Sequence, residues 1–98
     1  MVGKDWSVRV YVNAILALVR EHGFTQRMIA RGLGVSEAYV SRLLREPRKL
    51  EAYVARLGND PALVDFHRAA RDPEFRKRLR LELALPELRE ERHPTLIS

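Results

Sequence analysis

The sequence predicts an all-α protein, and three observations support this fold class. Apolar residues recur at helical spacing along the chain, without the alternation typical of strands. Proline and glycine stand where helices would begin and end, as at Pro47 and Gly58. The 98 residues are 46% hydrophobic and 32% charged, which matches a small globular domain and excludes a disordered or fibrous chain.

Four helices are predicted in residues 1–58. The first runs from about residue 6 to residue 22, with Asp5 or Ser7 as its N-cap and Gly23 as its stop. Thr25 caps a short second helix that begins at residue 26 and ends at 31 or 32. Ser36 caps a third. The third and fourth helices are predicted at Glu37–Arg45 and Pro47–Leu57.

Two more helices are predicted beyond Gly58, because an Asp N-cap followed by proline occurs twice, at Asp60-Pro61 and Asp72-Pro73. Pro86 kinks or ends the last helix near residue 85, and a charged turn follows. We therefore expect two parts, residues 1–58 and a helical extension of residues 59–98. The extension has apolar side chains that predict either a dimer interface or a buttress: Leu63, Phe66, Ala70, Phe75, Leu79 and Leu83.

Positive charge is concentrated in the first part. The net charge of +5 and the pI near 10.2 favour an anionic partner such as nucleic acid. Residues 1–58 contain ten Lys or Arg and five Asp or Glu, whereas the extension is balanced, so the whole excess lies before Gly58.

Several function classes are disfavoured. The absence of cysteine excludes a disulfide framework and a thiolate zinc site. No apolar run approaches the roughly 20 residues that cross a bilayer. We find no glycine-rich phosphate loop and no nucleophile beside a base. We therefore expect a cytoplasmic protein that is not an enzyme, with no metal, cofactor or membrane contact.

The most informative segment is QRMIARGLGVSEAYVSRLLR, residues 26–45. Ala30 is small enough to let two short helices approach closely, and Gly34 can adopt the left-handed conformation of a tight turn. Four apolar residues then fill the wedge between the helices: Leu33, Val35, Val40 and Leu43. This pattern predicts a helix-turn-helix.

The segment resembles the helix-turn-helix of the lambda repressor and Cro family at Thr25-Gln26, Ala30, Leu33-Gly34-Val35-Ser36, Val40 and Leu43. It is also similar to the helix-turn-helix of ParB partition proteins, through its TQ, LG, YVS and LLR strings. The matching residues cover about a quarter of the chain. The resemblance implies a compact five-helix-type domain followed by one or two additional C-terminal helices. It departs at residues 44–47, where Leu-Arg-Glu-Pro replaces the family's usual Glu and Gly.

A helix fits the major groove of B-form DNA, so we interpret residues 37–45 as the helix that contacts bases. Arg42 is the candidate for a bidentate contact to guanine, Glu37 for a cytosine amino group, and Ala38 for a thymine methyl. Gln26 would donate to a phosphate, and the resemblance implies the same roles for these four residues. The other predicted contacts surround them: Arg27, Ser36, Tyr39, Ser41, Arg45, Arg48 and Lys49.

Each of these residues also has a structural explanation. Ser36 is first of all an N-cap, and Arg42 and Arg45 could form a solvated face paired with Glu37 or Glu46. Tyr39 either reaches a phosphate or packs beside the first helix. The basic run at residues 76–80 either touches DNA or belongs to an ordinary surface helix.

We therefore expect a sequence-specific, double-stranded-DNA-binding transcription regulator, of repressor type, that acts as a homodimer. One alternative is a ParB-like partition adaptor, which at this length would lack the nucleotide-binding domain. Another is a protein-interaction module, such as a phage or toxin-antitoxin component, that uses the same helices.

Overall fold

The computed structural model describes the backbone of residues 2–84 and the side chains of residues 8–84, and this part of the chain is helical throughout its regular structure. The prediction of an all-α fold is confirmed. The six helices are α1 (Val2–Glu21), α2 (Gln26–Leu33), α3 (Glu37–Arg45), α4 (Pro47–Leu57), α5 (Pro61–Arg71) and α6 (Pro73–Ala84). The predicted stop at Pro86 and the charged turn after it lie outside the described residues.

The start of α1 differs from the prediction. The helix begins at Val2, so the prediction that Asp5 or Ser7 caps it was wrong, because both residues lie inside it. A residue of a capping type marks a helix start only where the chain before it is not helical. Here the preceding residues continue the helix, because each added residue forms one more backbone hydrogen bond. The helix ends at Glu21, one residue before the predicted end, and the predicted stop at Gly23 is confirmed. Gly23 has φ +74°, and the N–H of Phe24 donates to the carbonyl of Leu18 at 2.9 Å.

The predicted caps of the later helices are confirmed. The hydroxyls of Thr25 and Ser36 accept backbone N–H groups at the starts of α2 and α3, both at 3.1 Å. Asp60 and Asp72 accept N–H groups at the starts of α5 and α6, at 2.8 and 3.0 Å. A side-chain acceptor therefore fixes the start of each of these four helices.

The end of α2 also differs from the prediction. The helix continues to Leu33, beyond the predicted stop at residue 31 or 32. Gly34 then takes the left-handed conformation with φ +76°, as the turn chemistry predicts, and its N–H donates to the carbonyl of Ala30 at 2.8 Å. The turn between α2 and α3 therefore has three residues, 34–36.

One hydrophobic core joins all six helices. α1 packs against α4 and α5, while α6 packs against α5 and α2. Leu63 and Phe66 from α5 are at most 1% exposed, and Leu79 from α6 is also buried. These three side chains are therefore inaccessible to a second copy. Ala69 is buried where the pattern predicts Ala70, and Phe75 and Leu83 are partly buried against the core.

Candidate nucleic-acid interface

The helix α3 divides into a buried and an exposed side. Val40 and Leu43 are 1% and 2% exposed, which anchors the helix on the core. Ser36 fixes its first turn by accepting the N–H of Tyr39. The residues on the other side are exposed, as their spacing predicts: Ser36, Glu37, Ala38, Arg42 and Arg45, with Ser41 half-buried.

The two arginines of α3 lack partners within the described chain. Glu46 pairs with Lys49, with 3.5 Å between Oε1 and Nζ, and no carboxylate of residues 8–84 pairs with Arg42 or Arg45. The alternative in which Glu37 or Glu46 neutralises these arginines is therefore wrong for the described residues. Both guanidiniums are available to an external acceptor.

Tyr39 occupies the edge of this exposed side. Its ring packs edge-to-face on Tyr53 of α4, with 5.5 Å between ring centroids and 75° between ring planes. The ring therefore packs on α4 and not beside α1, where one of the two sequence interpretations placed it. Burial raises the pKa of the Tyr53 phenol, and Tyr39 and Asp60 add to the rise. The aromatic pair therefore sets the position of α3 against α4.

The start of α2 presents polar groups at the end of the helix opposite to the 34–36 turn. The Thr25 hydroxyl accepts the N–H of Met28 and so caps the first turn of the helix. Gln26 is half-buried and Arg27 is exposed. The positive end of the helix dipole lies at this helix start and favours an anion there.

The first turn of α4 extends the basic surface. Only Glu46 separates the end of α3 at Arg45 from the start of α4 at Pro47, so Arg48 and Lys49 follow closely after the C-terminal end of α3. Both side chains are exposed. Part of the charge of Lys49 is offset by Glu46, whereas Arg48 has no ion-pair partner among residues 8–84.

The basic run on α6 behaves differently. Arg76 donates through Nη1 to the carbonyl of Ala69 at 2.9 Å, at the C-terminal end of α5. Arg80 donates to the carbonyls of His22 and Gly23, at the C-terminal end of α1. These two guanidiniums serve as helix caps, a role that the sequence did not reveal because their partners are remote in the chain.

Neither of two other kinds of site, a metal site and a membrane-spanning helix, is found among the described residues. Among residues 8–84, no three His, Asp or Glu side chains lie close enough together to hold a metal ion. No helix within the described range has the length and apolar character needed to cross a bilayer. His67 packs its ring edge-to-face on Tyr11, with 6.0 Å between centroids, and links α5 to α1.

The predicted site residues thus fall on three adjoining elements: the start of α2, the exposed side of α3 and the first turn of α4. In comparisons with known proteins, no protein-family model, no curated protein and no solved structure matches the chain.

Proposed function

We propose that this chain is a sequence-specific, double-stranded-DNA-binding transcription regulator that contacts the major groove with α3. The observation that carries the proposal is the exposed side of α3, where Arg42 and Arg45 have no ion-pair partner in the described chain while Val40 and Leu43 hold the helix on the core. A rigid helix with unpaired guanidiniums suits the donor and acceptor groups of base edges.

The surrounding groups support a division of roles. Arg42 makes the main base contact, a bidentate contact to guanine, and Glu37 and Ala38 contact neighbouring bases. Gln26, Arg27, Arg48 and Lys49 contact phosphates, which positions the helix without specifying sequence. Arg45 at the end of α3 adds charge, while Ser36, Tyr39 and Ser41 lie at the margin of the surface.

We further propose that the protein acts as a homodimer, because one recognition helix makes few base contacts and two of them can bind half-sites about 34 Å apart. Leu63, Phe66 and Leu79 lie in the core and cannot form the contact. The large apolar side chains that remain exposed on α5 and α6 are Val64 and Leu81, at 44% and 55%. Sedimentation of a monomer at high concentration, with and without operator DNA, would contradict the dimer.

The proposed DNA recognition is tested by selecting bound duplexes from random DNA and then titrating a recovered duplex at several salt concentrations. If about 6–10 phosphates are contacted, affinity falls about 10³- to 10⁵-fold between 50 and 200 mM salt. Arg42→Ala should reduce discrimination at one base pair by about 1–3 kcal/mol, which corresponds to roughly 5- to 150-fold. Lys49→Ala should weaken all duplexes alike.

Two outcomes would contradict the proposal. If random DNA yields no enriched sequence, or if Arg42→Ala and Lys49→Ala have indistinguishable effects on discrimination, α3 does not specify bases. A binding constant that hardly responds to salt would instead favour a protein partner for this surface.

A further inference from the structure

An open groove between α1 and α4 adjoins the proposed DNA surface. Its volume is about 460 Å³. Its lining residues come from these two helices only: Val8, Arg9, Arg48, Glu51, Ala52 and Ala55. Arg48 belongs to the first turn of α4, three residues beyond Arg45, the last predicted contact on α3, so the groove continues the basic surface at the C-terminal end of that helix.

The groove brings together two guanidiniums that are remote in sequence. Arg9 and Arg48 are both exposed, and neither pairs with a carboxylate of residues 8–84. Glu51 lines the same groove but makes no ion pair with either arginine. Two guanidiniums against one carboxylate leave the groove with a net positive charge, which favours an external anion.

The shape of the groove indicates which anion fits. Val8, Ala52 and Ala55 form its apolar part, and their short side chains let a ligand approach the two helices closely. Guanidinium groups bind phosphate oxygens in a bidentate manner. An open channel with cations from both walls suits a continuous phosphodiester strand better than a small enclosed anion.

We propose that Arg9 and Arg48 together hold the phosphodiester backbone of one DNA strand where it passes the end of α3. This inference rests on the proposed function and extends it, because it places on α1 a contact that lies outside the α2–turn–α3 segment. Glu51 faces the same backbone and weakens the contact by charge repulsion. The groove therefore adds affinity for flanking DNA without adding base preference.

The experiment measures the binding constant of the full chain for a selected duplex as a function of salt. Arg9→Gln should lower the slope of log K against log salt by about 0.9, the value for one phosphate contact. It should weaken the selected and a scrambled duplex by the same factor. Glu51→Gln should strengthen both. Arg78→Gln is the matched control and should leave the slope unchanged, because it removes an exposed arginine of α6, a helix that packs on α2 and α5 and does not line the groove.

A second arm separates direct contact from a long-range effect of charge. The duplex is shortened stepwise from each end, and Arg9→Gln should lose its effect once the flanking phosphates at the groove are removed. Urea unfolding of Arg9→Gln should match the parent protein, since the side chain is exposed and unpaired.

The inference is overturned if Arg9→Gln leaves the slope unchanged, if Arg78→Gln lowers it equally, or if duplex shortening does not alter the effect. If one of these results is obtained and Arg42→Ala still relaxes the base preference, only the assignment of the groove fails. If the parent protein shows no salt-dependent DNA binding, the proposed function fails as well. Glu51→Gln could also strengthen the binding of an acidic protein while leaving DNA binding unchanged. That result would assign the groove to an acidic protein partner instead.

Discussion

The contact between Gly32 and Phe66 makes a sharp prediction about how α5 supports α2. A Cβ atom placed on Gly32 would lie 2.5 Å from Cζ of Phe66 and 3.2 Å from its Cε1. Ordinary carbon–carbon contacts are about 3.5–4.0 Å, so the ring would have to move by roughly 1 Å. Phe66 is 1% exposed, and the close-packed core leaves it no free space into which to move.

The magnitude follows from two opposing terms. Replacement of glycine by alanine inside a helix normally stabilises by about 1 kcal/mol. Overpacking of a core contact destabilises by about 1–3 kcal/mol. We therefore expect Gly32→Ala to lack the usual gain and to lower the free energy of unfolding by up to about 2 kcal/mol.

The assay is urea unfolding of four proteins: the parent, Gly32→Ala, Phe66→Leu and the double variant. Phe66→Leu removes the ring atoms that the new Cβ would meet. In that background Gly32→Ala should therefore stabilise, and the coupling energy of the cycle should be about 1–3 kcal/mol. A single Gly32→Ala variant that is more stable than the parent, or a coupling energy near zero, would refute the reasoning.

Three further predictions follow from contacts elsewhere in the fold. Arg80→Gln should lower the free energy of unfolding by about 1–2 kcal/mol, because it removes the cap on α1 and the cation–π contact with Phe24, and urea unfolding would show no loss if the cap were unimportant. Ser36→Ala should cost about 1 kcal/mol by the same measurement, whereas Ser36→Asp should retain the cap. Burial, with a smaller effect of Arg71, lowers the pKa of His67 below its ordinary value of 6.5, so the folded state binds fewer protons than the unfolded state and stability falls as the pH drops below 6.5. His67→Gln should reduce this loss between pH 6.5 and 5, and equal pH profiles for the two proteins would contradict it.

Local chemistry was sufficient to predict the elements that carry the candidate site. Ser36 marks the start of α3 and Pro47 marks the start of α4, and the predicted bounds of both helices agree with the structure. Helical spacing from Val40 and Leu43 then predicts which side of α3 is exposed. Cap and spacing signals act over three or four residues, and the sequence displays them directly.

Contacts between remote residues escaped the sequence interpretation. The sequence places Gly32 at the end of α2, before the turn at Gly34, and gives it no packing role. The structure uses its missing side chain to admit Phe66, 34 residues later. The same limit applies to Tyr39 and Tyr53, whose pairing depends on how α3 and α4 pack. Arg9 gave no local signal because its groove forms only when α1 meets α4.

The arginines divide into two groups according to what their guanidiniums contact. Arg76 and Arg80 donate to carbonyls at the ends of α5 and α1, where each helix dipole places a partial negative charge, so their charge is compensated inside the fold. Arg42, Arg45 and Arg48 have no such partner among residues 8–84. The uncompensated guanidiniums of the candidate site therefore lie on α3 and α4, whereas Arg76 and Arg80 of α6 are compensated inside the fold. It follows that loss of Arg80 should change stability more than binding, and loss of Arg42 should change binding more than stability.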